Sequence, residues 1–204
     1  MKKNNKYLIN GKTVPSVTTI IDVLSKPGLD RWYGRLGLAE AEKQKNEAAE
    51  FGSTVHGLIE AIYQGQDPEI SDPRVKKAIT NFKKWADHHI EEWVAFEKAI
   101  FHDELLYAGT VDAFAKLKGS NRLVLVDFKT SKKVRDEYYL QVAAYVRATR
   151  IEDDCVDLEE VKGAIILHLD HETLTWEAVN AHIDEELFDV FKSCLTIYKW
   201  RNPK

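Results

Sequence analysis

The hydrophobic period of the chain changes at Trp93. Before it, apolar residues recur three and four apart, as Val55, Leu58, Ile59 and Ile62 do in "STVHGLIEAIY"; after it they alternate, as in "LVLVDFK" from Leu123 to Lys129. The first spacing belongs to a helix with one buried stripe and the second to a strand with one buried face. A chain that carries them in separate blocks folds into segregated helices and strands, an α+β layout. In the front block, "YLINGKTV" reads as an Asn-Gly hairpin and "PSVTTIIDVLSK" as a short helix entered near Ser16. Helices are predicted over "LDRWYGRLGLAEAEKQKNEAAE" and over "STVHGLIEAIY", and a fourth from about Pro73 to His89 with Asp72 as its cap. In the second block, "WVAFEKAIF", "LYAGTVDAFAKL" and "RLVLVDFK" predict three strands in an antiparallel meander. A helix from Glu137 to about Thr149, a strand pair in "VKGAIILHLD" and "TLTWEAV", and a helix from about Ile183 to Trp200 complete the reading. With no repeat and no Gly/Ser linker, residues 1–204 are expected to form one domain, 1–91 mainly helical and 92–204 the sheet-bearing core.

Composition excludes several classes of function. With 44% hydrophobic and 30% charged residues the chain can bury a sizeable core, so disorder is not expected. Two cysteines, Cys155 and Cys194, cannot build a four-thiolate zinc or iron–sulfur site; no iron–sulfur cluster is expected, and a reducing compartment is. "MKKNNKYLING" has no secretory apolar run, and no segment approaches the roughly 18 apolar residues of a membrane helix, so the expectation is a soluble, cytoplasmic protein without membrane contact. A net charge of -4 disfavours coating nucleic acid over the whole surface, yet Lys129, Lys132, Lys133 and Arg135 form a local basic cluster.

Chemistry concentrates at the ends of the predicted strands. Asp127 and Lys129 are two apart, so they project from one face with Cα atoms about 6–7 Å apart. Asp112 lies mid-strand, flanked by Val111 and Ala113, on the face of Thr110 and Phe114 by alternation. Pairing of these two strands brings Asp112 and Asp127 close, and converging carboxylates call for a cation, with magnesium or manganese suited to oxygen ligands. Lys129 then sits beside that cation, able to hold a phosphate oxygen or orient a water. His56 and Glu60 are one turn apart on a helix, as are Gln141 and Tyr145. Glu97 shares the Ala95, Ala99 and Phe101 face of its strand, and Thr130 and Ser131 follow Lys129 as candidate phosphate donors.

The motifs "GTVDAF", "LVDFKTSK" and "YYLQVAAYVRA" occur in that order over about 40 residues. They resemble the RecB-like branch of the PD-(D/E)XK nuclease family: Gly-x-x-Asp, Asp-x-Lys, then Gln-x-x-x-Tyr on a helix. "VPSVTTIIDVL", Trp32 and "FGSTVHGLIEAIYQG" extend the resemblance to stand-alone single-strand DNA exonucleases of the phage and mitochondrial-maintenance type. The resemblance implies a restriction-endonuclease-like core, a central mixed sheet flanked by helices, with a helical N-terminal extension. It implies Asp112, Asp127 and Lys129 as catalytic residues and His56, Asp112, Asp127 and the Phe128 carbonyl as ligands of one or two Mg2+ or Mn2+ ions. It further implies Gln141 and Tyr145 as substrate-binding or site-ordering groups, with Glu97 and Glu60 behind the ligands. The implied activity is exonucleolytic hydrolysis of single-stranded DNA, with a replication or recombination protein as partner, and a phage-encoded chain acting in the host cytoplasm. The alternatives are a catalytically inactive nucleic-acid-binding accessory and an endonuclease with the same chemistry.

Overall fold

A computed structural model describes residues 7–203. The Asn10–Gly11 turn joins β1 (Tyr7–Ile9) to β2 (Lys12–Val14), as the Asn-Gly signal predicts. Ser16 then caps α1 (Val17–Ile21), its hydroxyl accepting from Thr19 N at 3.1 Å. Next come α2 (Pro27–Leu36), α3 (Leu38–Tyr63) and α4 (Pro73–His89), the last capped by Asp72, which accepts from Arg74 N at 2.8 Å.

The helices differ from expectation at their ends, the one predicted from Glu137 stopping at Val146 and not near Thr149, and in one internal break. The pattern suggests a break near Phe51–Ser53, but α3 runs through it, and the break falls at Gly37, whose φ of 79° ends α2. Only glycine adopts that conformation without strain. Gly52 has a different role: a Cβ there would come within 2.8 Å of Thr130 Oγ1, so its missing side chain lets α3 approach the end of a strand.

The sheet has six strands: β3 (Ile90–His102), β4 (Tyr107–Leu117), β5 (Leu123–Lys129), β6 (Arg150–Ile151), β7 (Ala164–Leu169) and β8 (Trp176–Ala181), in the order β6-β3-β4-β5-β7-β8. The expected meander β3-β4-β5 is antiparallel; β7 then pairs parallel to β5 after α5 (Asp136–Val146), which makes the sheet mixed. The chain closes with α6 (Glu185–Arg201), capped by Asp184. No described helix is long and apolar enough to cross a membrane.

Two apolar layers cover the sheet. On one face, Val17 and Ile20 of α1, Val142 and Tyr145 of α5 and Phe191 of α6 pack over Leu125. On the other, Phe51, Val55 and Ile59 of α3 and Phe82 and Trp85 of α4 pack over Val126, Phe128 and Leu167. The architecture is therefore α+β, a central mixed sheet flanked by helices.

Candidate active site

Three acids share one row across the sheet. The β3–β4 register runs Phe96↔Ala113 then Lys98↔Val111, which sets Glu97 opposite Asp112; the β4–β5 register ends at Ala113↔Val126, one step before Asp112 would meet Asp127. There the ladder opens. Instead of a backbone partner, Phe128 N–H donates to Asp112 Oδ2 at 2.7 Å, so the Asp112 carboxylate fills the gap between β4 and β5. Its other oxygen lies 3.3 Å from His56 Nδ1, brought over by α3.

Simple alternation fails at this row, and two expectations need correction. Tyr107 donates to Ala144 O of α5 and Gly109 abuts Tyr145, yet Ala113 and Ala115, of the same parity, pack in the α3–α4 layer. Asp112 therefore does not share the face of Phe114, which packs with α5, but turns toward His56. On β3 the switch falls at Glu97, which has a φ of 48°: Phe96 packs in the α3–α4 layer while Ile100 packs in the other. The expected Ala95, Glu97, Ala99 and Phe101 face is therefore broken at Glu97, and the Glu97 carboxylate joins His56 and Asp112 in a trio whose candidate ligand atoms all lie within 4.8 Å of one another. Expected to stand behind His56 and Asp112, it stands beside them.

Asp127 and Lys129 project together from β5 and form an ion pair, with Lys129 Nζ 5.1 Å from the ring centre of Tyr138. Asp127 Oδ2 faces that ammonium but accepts no well-directed hydrogen bond among the described residues. Burial, only partly opposed by Lys129, pushes the Asp127 carboxyl up to about 6, and the charge of Asp112 adds to the rise. For Asp112 burial acts in the same sense but is outweighed by His56, Lys129 and the Phe128 N–H, so its pKa is lowered. Burial disfavours the imidazolium of His56 and the ammonium of Lys129, yet the neighbouring aspartates raise both.

A cleft of about 330 Å³ opens here, lined by Ala48, Ala49 and His56 of α3, by Phe128, Lys129, Thr130 and Ser131, and by Tyr138 of α5. Gln141 donates to Tyr145 Oη at 2.8 Å, and Tyr145 is buried against Gly109, an arrangement that orders the helix rather than presenting the phenol to a ligand. Glu60 accepts from Gln64 at 3.3 Å and is not part of the trio of His56, Glu97 and Asp112. Trp32 and Tyr33 stack edge to face on α2 and do not line the cleft. Tyr138, which sequence reasoning treats as packing, lines the cleft; its signal is the one-turn spacing to Gln141.

The donor set fits a divalent ion. Two carboxylates and one imidazole, of Glu97, Asp112 and His56, converge within 4.8 Å; the Asp127 carboxylate is not part of that trio and stands beside a single ammonium with one oxygen buried and without a directed donor, and oxygen-rich sets of this kind suit Mg2+ or Mn2+.

Fold and site together define an α+β protein with a buried acid, histidine and lysine centre at the open end of two sheet strands. The chain is similar to mitochondrial genome maintenance exonuclease 1 of Xenopus tropicalis, 28% identical over 163 residues covering 70% of this chain and 44% of that protein. The same protein of Mus musculus is 29% identical over 163 residues, covering 70% of this chain and 46% of it. The chain thus spans a little under half the length of the curated relatives it matches. No family model matches. A solved structure titled "Crystal structure of SSO0001" aligns over 94% of this chain and 79% of its own at 11% identity and a TM-score of 0.45, too loose a likeness to build on.

Proposed function

We propose that this chain is a metal-dependent DNA exonuclease of the RecB-like PD-(D/E)XK kind, folded as one nuclease domain over 1–204 and acting on single strands. The observation that carries the proposal is the row Glu97, Asp112, Asp127 with Lys129 paired to its last member. The relatives named as exonucleases support it, as do the motifs around Asp112, Lys129 and Gln141. His56, Glu97, Asp112 and Asp127, with the Phe128 carbonyl, would hold Mg2+ or Mn2+, which when bound polarises a phosphate and lowers the pKa of a coordinated water. Lys129, kept charged by the aspartates, holds a phosphate oxygen or orients the attacking water. Tyr138 backs the ammonium, and Gln141 with Tyr145 fixes the helix that carries it.

The single-strand preference rests on the motif resemblance and is consistent with a cleft of only about 330 Å³ lined on one side by Ala48 and Ala49 of α3. A second, smaller groove shares Tyr138 and continues past Arg135 and Gln141, with Lys26 paired to Asp22 at 2.6 Å and Glu137 also on its wall, so Arg135 is the unneutralised cation it offers to a phosphate on an unpaired strand. Action in the cytoplasm, in the host's for a phage-encoded chain, and a replication or recombination partner belong to the same proposal and rest on the motif resemblance.

The test is an end-labelled single strand incubated with purified protein and Mg2+ or Mn2+. Degradation by the wild type is expected, with Lys129→Ala losing at least about a hundredfold in turnover while keeping most of its DNA affinity. Intact strands with either metal overturn the proposal and leave a binding protein. A circular single strand should resist; its cleavage would replace exonuclease with endonuclease.

A further inference from the structure

One helix face is charged almost entirely with one sign. Lys76, Lys77, Lys83 and Lys84 of α4 are exposed and lie on the side opposite its buried Val75, Ile79 and Phe82. Lys76 and Lys83 are two turns apart, as are Lys77 and Lys84, so the two pairs follow one another along the same face at a spacing of about 10.5 Å. Asp87 is the one acid between Pro73 and His89. Among the described residues none of the four ammonium groups meets a carboxylate, whereas Lys98, Lys116 and Lys192 elsewhere on the surface pair with Asp153, Glu92 and Asp189. The shortage of partners is local, because over the chain acids outnumber Lys and Arg by 33 to 29. Helix stability does not account for the arrangement. Each of α2, α3, α5 and α6 carries an acid in its first turn, where the dipole favours one; α4 carries none there and has Arg74 instead, offset by the cap Asp72 at 3.0 Å.

We propose that this face of α4 is an anchoring surface for the phosphate backbone of nucleic acid, outside the cleft and blind to base sequence. Each ammonium on a long flexible stem can neutralise a phosphate and release its counterions, which is the sequence-independent part of nucleic-acid binding. The chemistry of the face favours that partner over two other polyanions. A protein interface gathers aromatic anchors and is depleted in Lys, and none of the exposed large apolar side chains among the described residues lies on α4. A helix lying on a lipid surface inserts its apolar side, and that of α4 is already buried against Phe51 and Phe128. The face also begins close to the cleft. The Arg74 guanidinium lies 5.9 Å from the centre of the Phe51 ring, that ring lies 6.0 Å from the ring of His171, and His171 Nδ1 lies 2.6 Å from the carbonyl of Thr130, which lines the cleft. A chain of side-chain contacts thus joins the cleft wall to the first turn of α4, a span that a strand of several nucleotides covers. That the anchored strand is a substrate rests on the nuclease reading; the anchoring itself does not need turnover.

The experiment is a titration of labelled single strands with the whole protein, followed by fluorescence anisotropy at several salt concentrations and without divalent ions. One variant combines Lys76→Gln, Lys77→Gln, Lys83→Gln and Lys84→Gln, substitutions that keep helix propensity. A control combines Lys12→Gln, Lys162→Gln, Lys199→Gln and Arg201→Gln, which are exposed elsewhere and change the net charge equally. On a strand of about 40 nucleotides the α4 variant should lose at least about tenfold in affinity at low salt, and its slope of log affinity against log salt should flatten by about 2 to 3, at roughly 0.7 per lost phosphate contact. The control should change far less. On a strand of about six nucleotides, enough for the cleft alone, the α4 variant should bind like the wild type. Equal losses in variant and control, or a wild-type slope for the variant on the long strand, overturn the anchoring face. Lysine-dependent binding of polyglutamate or of phosphatidylserine vesicles as tight as that of the long strand overturns its assignment to nucleic acid. A protein that holds the long strand through these lysines yet leaves it intact with Mg2+ or Mn2+ overturns the nuclease reading and leaves the anchor standing; cleavage by a protein whose α4 variant binds the strand unchanged does the reverse.

Discussion

Glu97 combines a strained backbone with a side chain that joins Asp112 and His56 in one cluster. Its φ of 48° lies in the left-handed region, which costs a non-glycine residue about 1–2 kcal/mol. Glu97→Gly should remove that strain and leave the metal-free protein as stable as the wild type or about 1 kcal/mol more so, while weakening Mn2+ binding measured by calorimetry. Unchanged Mn2+ affinity in that variant would take Glu97 out of the ligand set. The other acids are legible in the sequence because their motifs are local: Asp127 and Lys129 by their spacing, Asp112 by its place inside an apolar strand. Glu97 is legible only as an acid on a strand, because its orientation depends on a change of face that alternation does not foresee. The contacts of His168 and His171 escape for a related reason: their rings meet backbone carbonyls of the segment after β5, and no spacing encodes that.

At the scale of elements, the site depends on where the strands stop pairing and on how closely α5 approaches β4. A Cβ on Gly109 would sit 2.5 Å from Tyr145 Cε1, and that ring is buried with its hydroxyl tied to Gln141. Gly109→Ala should therefore destabilise the protein by about 1–3 kcal/mol, as overpacking does, and should displace α5 with Tyr138 from Lys129. Denaturant melts and a loss of single-strand cleavage at temperatures where the variant is folded would together show it; wild-type stability would mean that α5 yields without cost. The sequence conveys most of the elements. Ser16, Asp72 and the Asn10–Gly11 turn announce their boundaries through side-chain chemistry that acts within a few residues. The run through Gly52 is not announced, since a glycine needed for contact with a distant strand looks in sequence like one that ends a helix.

Across the whole molecule, folding in the absence of metal alters the proton affinity of the site. Asp127 rises from its ordinary 3.8 to about 6, so its stabilising contribution is present below 3.8 and is lost as the pH climbs through about 6. His56 is raised from 6.5 by Asp112 against the effect of burial, and its contribution likewise disappears as the pH rises through that higher value. Asp112 behaves oppositely, its contribution being lost only as the pH falls through a value below 3.8, outside this window. In the metal-free chain these groups therefore favour the folded state more at pH 5.5 than at pH 8. A divalent ion competes with those protons, so Mg2+ or Mn2+ should raise the melting temperature more at pH 8 than at pH 5.5. An equal rise at both pH values would place ion binding elsewhere.

The parallel pairing of β5 with β7 has a bearing on biosynthesis. Until the ribosome has released Ala164–Leu169, the strand bearing Asp127 and Lys129 is an open sheet border with unmatched amides and carbonyls, the kind of border that recruits strands from neighbouring chains. A nascent polypeptide that stalls between α5 and β7 thus carries an adhesive flank where the finished protein has its centre, and completing translation through those six residues is what seals it.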